Sequence, residues 1–300
     1  MTAPATGNSA RRGTIAHVWS VVGGVVAPVT LVTAVLFYFG YVHTQAQLEY
    51  FGVDVDLLGL GTQDFVMRSP GVLLVPMLVL LLGGAVLLVA DGVVRRRLAT
   101  ADAAAYRRTA RLLTGGGAGV LVLGVVLVLA FPVAGDWVLF PLVAPLVLGC
   151  GAALAAYGLV LAGHVPTGDG EEALPARAAD PVRTVEVLLV LTVVAALFWA
   201  TATIAQWAGY TQASDLAADL TVLPAVVLDT EQRLQLGDDV VAQTALRADD
   251  GDRFRFRYTG LRLLAEGDGT LFLVPERWTD DGSTLVVPVA DVRFRIPFPG

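Results

Sequence analysis

The sequence predicts a membrane α-helical bundle of about five transmembrane helices, followed by a small all-β C-terminal domain that is barrel- or sandwich-like. Three observations predict this fold class. Long apolar runs alternate with short charged segments over the first 209 residues. Charged residues make up 16% of the chain, whereas soluble domains usually carry about a quarter. From residue 222 onward the hydrophobic period changes from helical to alternating.

The first part of the chain predicts a disordered cytoplasmic N-terminus and then a transmembrane domain. Residues 1–16 are small, polar and turn-prone. Five uncharged apolar runs follow, each long enough to cross ~30 Å of hydrocarbon at ~1.5 Å per residue. Each run is predicted to be helical, because an isolated strand would leave its backbone groups unsatisfied in lipid. The transmembrane domain covers 17–209, with helices at about 18–42, 71–90, 115–134, 137–163 and 187–209.

Only Gly135-Asp136 separates the third run from the fourth. The pair therefore either crosses the membrane twice or includes a re-entrant loop. Together the two apolar runs span more than 40 residues, which favours two full crossings.

The distribution of arginine predicts the orientation. With a cytoplasmic N-terminus, the outer loops before the C-terminal domain carry only Arg68. Ten arginines then lie on the inner side, and cytoplasmic loops are the ones that carry an excess of basic residues. Five crossings place the C-terminus outside the cell membrane. The inner arginines are Arg11, Arg12, Arg95, Arg96, Arg97, Arg107, Arg108, Arg111, Arg177 and Arg183.

The predicted outer loop 43–70 is rich in turn-forming residues. Thr62 is placed to cap a short helix that runs through Arg68. Asp54, Asp56 and Asp64 permit two interpretations, a cation site or a solvated turn. A calcium site needs six or more oxygen ligands, so the sequence favours the turn.

After a linker at 210–221, residues 222–300 predict an extracytoplasmic β-rich domain of five to seven short strands. Gly267-Asp268-Gly269 supplies the turn chemistry of a hairpin between Leu263 and Phe272. We expect this domain to fold without the membrane and to bury an aromatic face. That face consists of Phe254, Phe256, Tyr258, Phe272, Phe294 and Trp278.

Two strands of this domain alternate arginine with apolar residues, so that the arginines share one face. They contribute Arg253, Arg255 and Arg257 from one strand and Arg293 and Arg295 from the other. One interpretation is an amphipathic sheet whose arginines pair with Glu231, Glu266 and Asp291 on a solvated face. The functional interpretation is a basic platform that binds an anionic envelope polymer or a lipid headgroup.

The residue types argue against an enzyme. Every basic residue is arginine, which excludes a catalytic or phosphate-binding lysine, and the single cysteine, Cys150, excludes a disulfide within the chain and a cysteine-based metal site. No hydrolase, metalloprotease or nucleotide-binding motif is present, and no cofactor or metal is expected.

The apolar runs contain no acid or base of the kind that coupled transport requires. Small-residue pairs predict helix packing, at Gly115 with Gly119 and at Gly151 with Ala155.

Two segments resemble a group of multi-pass membrane proteins from high-GC bacteria. Residues 38–70 and 253–279 look like that group's aromatic first outer loop and its C-terminal module of small β type. The matching positions in the module are Phe256, Tyr258, Gly260, Leu261, Phe272, Pro275 and Trp278. The resemblance implies the same architecture, and it implies no activity and no catalytic residues.

The sequence favours a non-enzymatic envelope anchor that presents an extracytoplasmic β module to a partner. The partner classes are the lipid bilayer with its headgroups, an anionic envelope polymer and another membrane protein, with nucleic acid excluded. The alternative is a transporter or channel subunit with an uncharged pathway. It would be lined by neutral polar groups such as Tyr157, Thr192, Thr201, Thr203 and Gln206.

Overall fold

The computed structural model describes residues 8–98, 103–135, 137–163, 179–234, 236, 241–246, 253–279 and 282–297, with side chains from residue 28 onward except at 134 and 179–181. The chain divides into two compact units. We call Met1–Val72 with Gln206–Gly300 the sheet unit, and Leu73–Ala205 the helical unit. Both boundaries fall inside long helices, so each unit contains parts of the membrane-spanning segments.

Five helices are long and apolar enough to cross a membrane, as the sequence predicts. The helices of the first, second and last spans extend beyond both ends of their apolar runs, the third begins before its run, and the fourth lies within its run. The five helices are α1 (Asn8–Glu49), α2 (Thr62–Leu98), α3 (Ala103–Leu129), α5 (Phe140–Ala162) and α6 (Ala179–Ala218), with a short α4 at Phe131–Ala134. Residues 8–16, for which the sequence predicts disorder, belong to α1, and 210–218 of the predicted linker belong to α6. α3 and α5 are separate long helices, in agreement with two crossings.

The helix that starts at Thr62 does not stop after Arg68 as expected, and instead continues into the second span as α2. Pro70 lies within it and has no N–H to donate to the carbonyl of Val66. The hydroxyl of the buried Ser69 donates to that carbonyl oxygen at 2.8 Å. The carbonyl of Val66 thus keeps a hydrogen-bond donor although Pro70 supplies none, and the helix continues through the proline.

Within the helical unit, α3 and α5 pack through small residues spaced seven apart. The buried small residues of α3 are Ala110, Gly117 and Gly124, and α5 presents Ala144, Gly151 and Gly158 at the same spacing. A seven-residue repeat keeps one stripe of a helix against its neighbour, and small residues let the backbones approach closely.

The predicted packing pair on α5 is confirmed, and the pair on α3 is wrong. A Cβ added at Gly117 would overlap the backbone of Ala155, and one at Gly151 would overlap the backbone of Leu121. A Cβ at Gly115 or Gly119 would meet nothing within 4 Å. α3 therefore turns a different side toward α5 from the one that the spacing of Gly115 and Gly119 indicated.

The C-terminal strands form one open antiparallel sheet instead of the expected barrel or sandwich. Five strands lie in the order β5-β4-β3-β1-β6, and β2 pairs with β3 off this path. Their bounds are β1 (Ala225–Thr230), β2 (Ala242–Ala245), β3 (Phe256–Gly267), β4 (Thr270–Pro275), β5 (Leu285–Pro288) and β6 (Val292–Arg295). The predicted hairpin is confirmed between β3 and β4. Its two turn residues, Asp268 and Gly269, both have positive φ (46° and 70°), as a type I′ turn requires.

Both faces of this sheet carry a hydrophobic core. On one face, Leu228, Tyr258, Leu271 and Leu273 pack with the segment after β1, which contributes Leu234 and Leu236 among others. On the other face, Phe272 and Val274 pack against loop 50–61 and the adjoining helix ends. We call this second side the helix-facing face. Its partners include Leu48 of α1, Phe51, Val53, Val55 and Leu58 of the loop, Phe65 of α2 and Ala213 of α6.

The predicted aromatic core is correct in part. Tyr258 and Phe272 are buried (1% exposed each), but they lie in different cores, on opposite faces of the sheet. Phe254, Phe256 and Phe294 are only half-buried. Much of the apolar material that covers the sheet comes instead from loop 50–61, so the sheet and the loop share one core.

Candidate functional site

The candidate site lies on the helix-facing face of the sheet, and strand register establishes this. Ala225 of β1 lies opposite Arg262 of β3, and Arg262 lies opposite Val274 of β4. Side chains in such a cross-strand row point to the same face. Because alternate residues of a strand share a face, Val227 and Asp229 also lie on the side of Val274.

Three arginines share this face with Asp229. In register, Asp229 lies opposite Arg257 of β3 on one side and opposite Arg293 of β6 on the other, and Val227 lies opposite Arg295. β1 thus places one carboxylate between arginines from its two neighbouring strands, β3 and β6. We call Arg257, Arg293 and Arg295 the arginine cluster.

Hydrogen bonds hold the cluster around a buried carboxylate. Nε and Nη2 of Arg257 donate to Oδ1 and Oδ2 of Asp229 at 2.7 and 3.1 Å. Nε and Nη2 of Arg293 both donate to Oδ2, at 3.1 and 2.9 Å. Nη2 of Arg295 lies 3.7 Å from Oδ2. The Asp229 side chain is 1% exposed, so its charge is compensated entirely by these guanidinium groups.

The cluster also stabilises the ionised form of Asp229. The Arg257 guanidinium, hydrogen-bonded to the carboxylate, holds the pKa of Asp229 below its ordinary value of 3.8. Burial opposes this shift, and the hydrogen bonds from Arg293 add to it. A carboxyl group that accepts several charged hydrogen bonds remains ionised at neutral pH. Asp229 is therefore a permanent structural anion and is unsuited to act as a general acid.

The remaining two arginines of the predicted site lie just before β3. Arg253 forms an ion pair with Glu231, and its guanidinium carbon lies 5.6 Å from the centre of the Phe254 ring. The guanidinium carbon of Arg293 lies 5.0 Å from the same ring. Phe254 thus joins Arg253 to the arginine cluster. Arg255 is exposed, and it forms no ion pair with any residue that the structure describes.

The sequence predicted the arginines of this site and missed its central carboxylate. Of the expected acidic partners, Glu231 is confirmed. Glu266 and Asp291 are exposed and form no ion pair among the described residues. Asp229 gives one signal in the sequence, as the single acid within an apolar strand. Its role depends on which strands flank β1, and neither of them is adjacent to β1 in the chain.

The exposed part of the site favours binding of an anion. Within the described part of the chain, only Asp229 and Glu231 form ion pairs with these five arginines, which leaves three positive charges in excess there. Arg253, Arg293 and Arg295 are each more than half exposed, at 54%, 56% and 58%. Arginine carries its charge at any physiological pH and presents a planar fork of donors that matches carboxylate and phosphate groups. The geometry suits recognition of an anion.

The aspartates of loop 50–61 and the start of α2 serve as caps. Asp54 accepts from the backbone N–H of Asp56 at 3.0 Å, and Asp64 accepts from that of Gly61 at 2.8 Å. Asp56 lies 3.5 Å from the hydroxyl of Tyr41. Within the described part of the chain no group of three or more potential metal ligands occurs. These contacts agree with the turn interpretation of the loop.

The polar groups of the helical unit bond mainly to helix backbone. Thr192 and Thr201 donate to the carbonyls of Leu188 and Leu197 in their own helix. Thr203 bonds to carbonyl oxygens of α6 and α5. Tyr157 instead donates to Asp91 at 2.8 Å, and Asp91 also accepts from Arg95. Asp91 directly follows the apolar run predicted at about 71–90, and α2 continues for seven residues beyond it.

Comparisons with known proteins add no identity. No protein-family model matches the chain, and neither a curated protein nor a solved structure matches it. The functional argument therefore rests on the residues and their geometry.

Proposed function

We propose that the protein is a non-enzymatic anchor in the cell membrane that presents its C-terminal sheet outside the cell as a binding module for an anionic partner. The observation that carries this proposal is the part of the helix-facing face that holds the arginine cluster, which we call the arginine face. Arg257 and Arg293 are hydrogen-bonded to the buried carboxylate of Asp229, and Arg295 lies 3.7 Å from it. Arg293 and Arg295 are each more than half exposed.

The proposed orientation has a cytoplasmic N-terminus and an external C-terminus. It is supported by the excess of ten arginines over one in the predicted inner and outer segments. With five crossings, the sheet follows the last helix on the outer side. Only six residues separate the end of α6 at Ala218 from the start of β1 at Ala225, so the sheet is tethered close to the C-terminal end of α6.

The alternative is a transporter or channel subunit. It is favoured by one observation, the Asp91–Tyr157 hydrogen bond between α2 and α5, since ionisable residues inside spans commonly serve transport. The threonines weaken it, because their hydroxyls bond to backbone carbonyls and so are not arranged as a polar pathway. Uptake into liposomes driven by a proton gradient, and lost in Asp91→Asn, would favour transport over binding.

A photo-crosslinking experiment in the native membrane tests the binding proposal. Position 244 suits the probe, because Thr244 is exposed and lies opposite Arg257 on the arginine face. Arg233 provides the control position, since its neighbour Leu234 packs in the core on the other face of the sheet. We expect adducts from a benzophenone side chain at 244 and few from one at 233. Equal adducts at both positions, or none at 244, would contradict the proposal.

A further inference from the structure

We infer that the anionic partner of the arginine face is the bilayer itself, through the phosphate groups of anionic phospholipid in the outer leaflet. This inference rests on the proposed function and makes it more specific. It is carried by the direction in which the face points, a property that the arginine pattern in the sequence does not reveal.

The first step is the orientation of the sheet within the sheet unit. The helix-facing face carries both the arginine cluster and the Phe272–Val274 core, and that core packs against the ends of α1, α2 and α6. On the same face, Nη1 of Arg262 donates to the carbonyl oxygen of Leu223 at 3.0 Å, shortly after α6 ends. The arginines therefore point toward the side from which the helices arrive.

The second step is the distance that separates the sheet from the lipid. The apolar run of α6 ends at Gly209, and the helix continues for nine residues to Ala218, which is ~14 Å at ~1.5 Å per residue. The headgroup layer occupies about 5–8 Å on each side of the hydrocarbon. Headgroups and extended arginine side chains together fill a gap of this order.

The third step is the preorganisation of the charges. Asp229 fixes the Nε and Nη2 atoms of Arg257 and Arg293, and so it holds both side chains against the sheet. Arg295 is held more loosely, at 3.7 Å, and is 58% exposed. Arginine forks with fixed positions lose less side-chain entropy when they bind a phosphate. The cluster is thus suited to bind phosphates at a surface, with Arg295 as its most available member.

The test uses the full chain with the Cys150→Ala and Thr244→Cys substitutions, a nitroxide on the new cysteine, and vesicles of phosphatidylcholine with or without phosphatidylglycerol. Electron paramagnetic resonance measures how much of the nitroxide is inaccessible to a water-soluble nickel chelate, and this inaccessible fraction is the docked fraction. We expect docking to rise with phosphatidylglycerol and to be lost in 0.5 M salt, where surface charges are strongly screened.

Arg295→Gln should weaken docking about five-fold, the equivalent of ~1 kcal/mol per arginine at an anionic surface. Arg295 is chosen because its ion pair is the longest in the cluster, so the fold should tolerate its loss. The matched control is Arg233→Gln, which removes the same charge from the segment that covers the opposite face. We expect that control to leave docking unchanged.

Two outcomes would overturn the inference in different ways. If phosphatidylglycerol has no effect while added polyphosphate immobilises the label, the partner is a soluble polyanion, and the proposed binding function survives without the lipid. If neither probe acts, or if Arg233→Gln weakens docking as much as Arg295→Gln does, the arginine face is not a binding site and both proposals fall.

Discussion

Truncating Phe51 to alanine should strongly destabilise the sheet, although Phe51 is not part of it. Its side chain is 1% exposed and lies in the core that also contains Phe272 and Val274. Its ring makes edge-to-face contacts with Tyr50, at a centroid distance of 5.3 Å, and with Trp278, at 5.0 Å. A buried Phe→Ala change costs ~3–5 kcal/mol, and two aromatic contacts place this site at the upper end of that range.

A loss of ~4 kcal/mol is a large share of the ~5–15 kcal/mol that stabilises a typical domain. It should raise the population of the open sheet by about a thousand-fold. Hydrogen–deuterium exchange of the full chain in nanodiscs measures this directly. The amides of β4 are the best reporters, because β4 is paired with β3 and with β5.

Leu57→Ala is the matched control, because Leu57 lies in the same loop and is 57% exposed. It should change stability by less than ~0.5 kcal/mol. If exchange in β4 rises less than about five-fold in Phe51→Ala, the sheet folds independently of the loop. In that case the claim of a shared core would be wrong, and the C-terminal domain would fold without the loop, as the sequence predicts.

Three further predictions concern other sites. Asp229→Asn should destabilise the sheet by ~2–3 kcal/mol, below the ~3–5 kcal/mol of a fully buried pair because its arginines are partly exposed. The folded state holds the pKa of Asp229 below 3.8. The ionised carboxylate should therefore contribute fully to stability above about pH 4, and this contribution should be lost at lower pH as the folded-state carboxyl becomes protonated. Acid-unfolding curves would measure the loss. Gly117→Val should separate α3 from α5, and Gly119→Val should not, because only at Gly117 would a Cβ overlap the partner helix; disulfide crosslinking between the two helices would report it. Gly267→Ala should loosen loop 50–61 from the sheet, because its Cβ would overlap the carbonyl of Leu58, and proteolysis of the loop would detect this.

Features set by local sequence could be predicted, and features set by non-local pairing could not. Five spans followed from uncharged apolar runs, and the β3–β4 turn followed from Asp268-Gly269, because both depend on neighbouring residues. The rotation of α3, which brings Gly117 into the seam, depends on packing against α5. The identity of the acid within the arginine cluster likewise depends on the register of β1 with β3 and with β6.

The open sheet illustrates the same limit. Alternating strands and turn residues predicted a domain that closes on itself, because a small sheet must bury its apolar face. The sequence did not reveal that loop 50–61, more than 150 residues away in the chain, would supply that cover. The turn residues of the loop were recognised, but its Val53, Val55 and Leu58 belong to the core of the sheet unit.

The side of the membrane on which the sheet lies is the claim on which the whole account depends. Single cysteines at Ser9 and Ser283, in a Cys150→Ala background, report the two ends of the chain; Ser283 is exposed in the sheet unit. In intact cells, an impermeant thiol reagent should label the cysteine at 283 and leave the one at 9 unlabelled until the cells are opened. Labelling at 9 with protection at 283 would place the arginine face inside the cell, and the proposed function would be wrong.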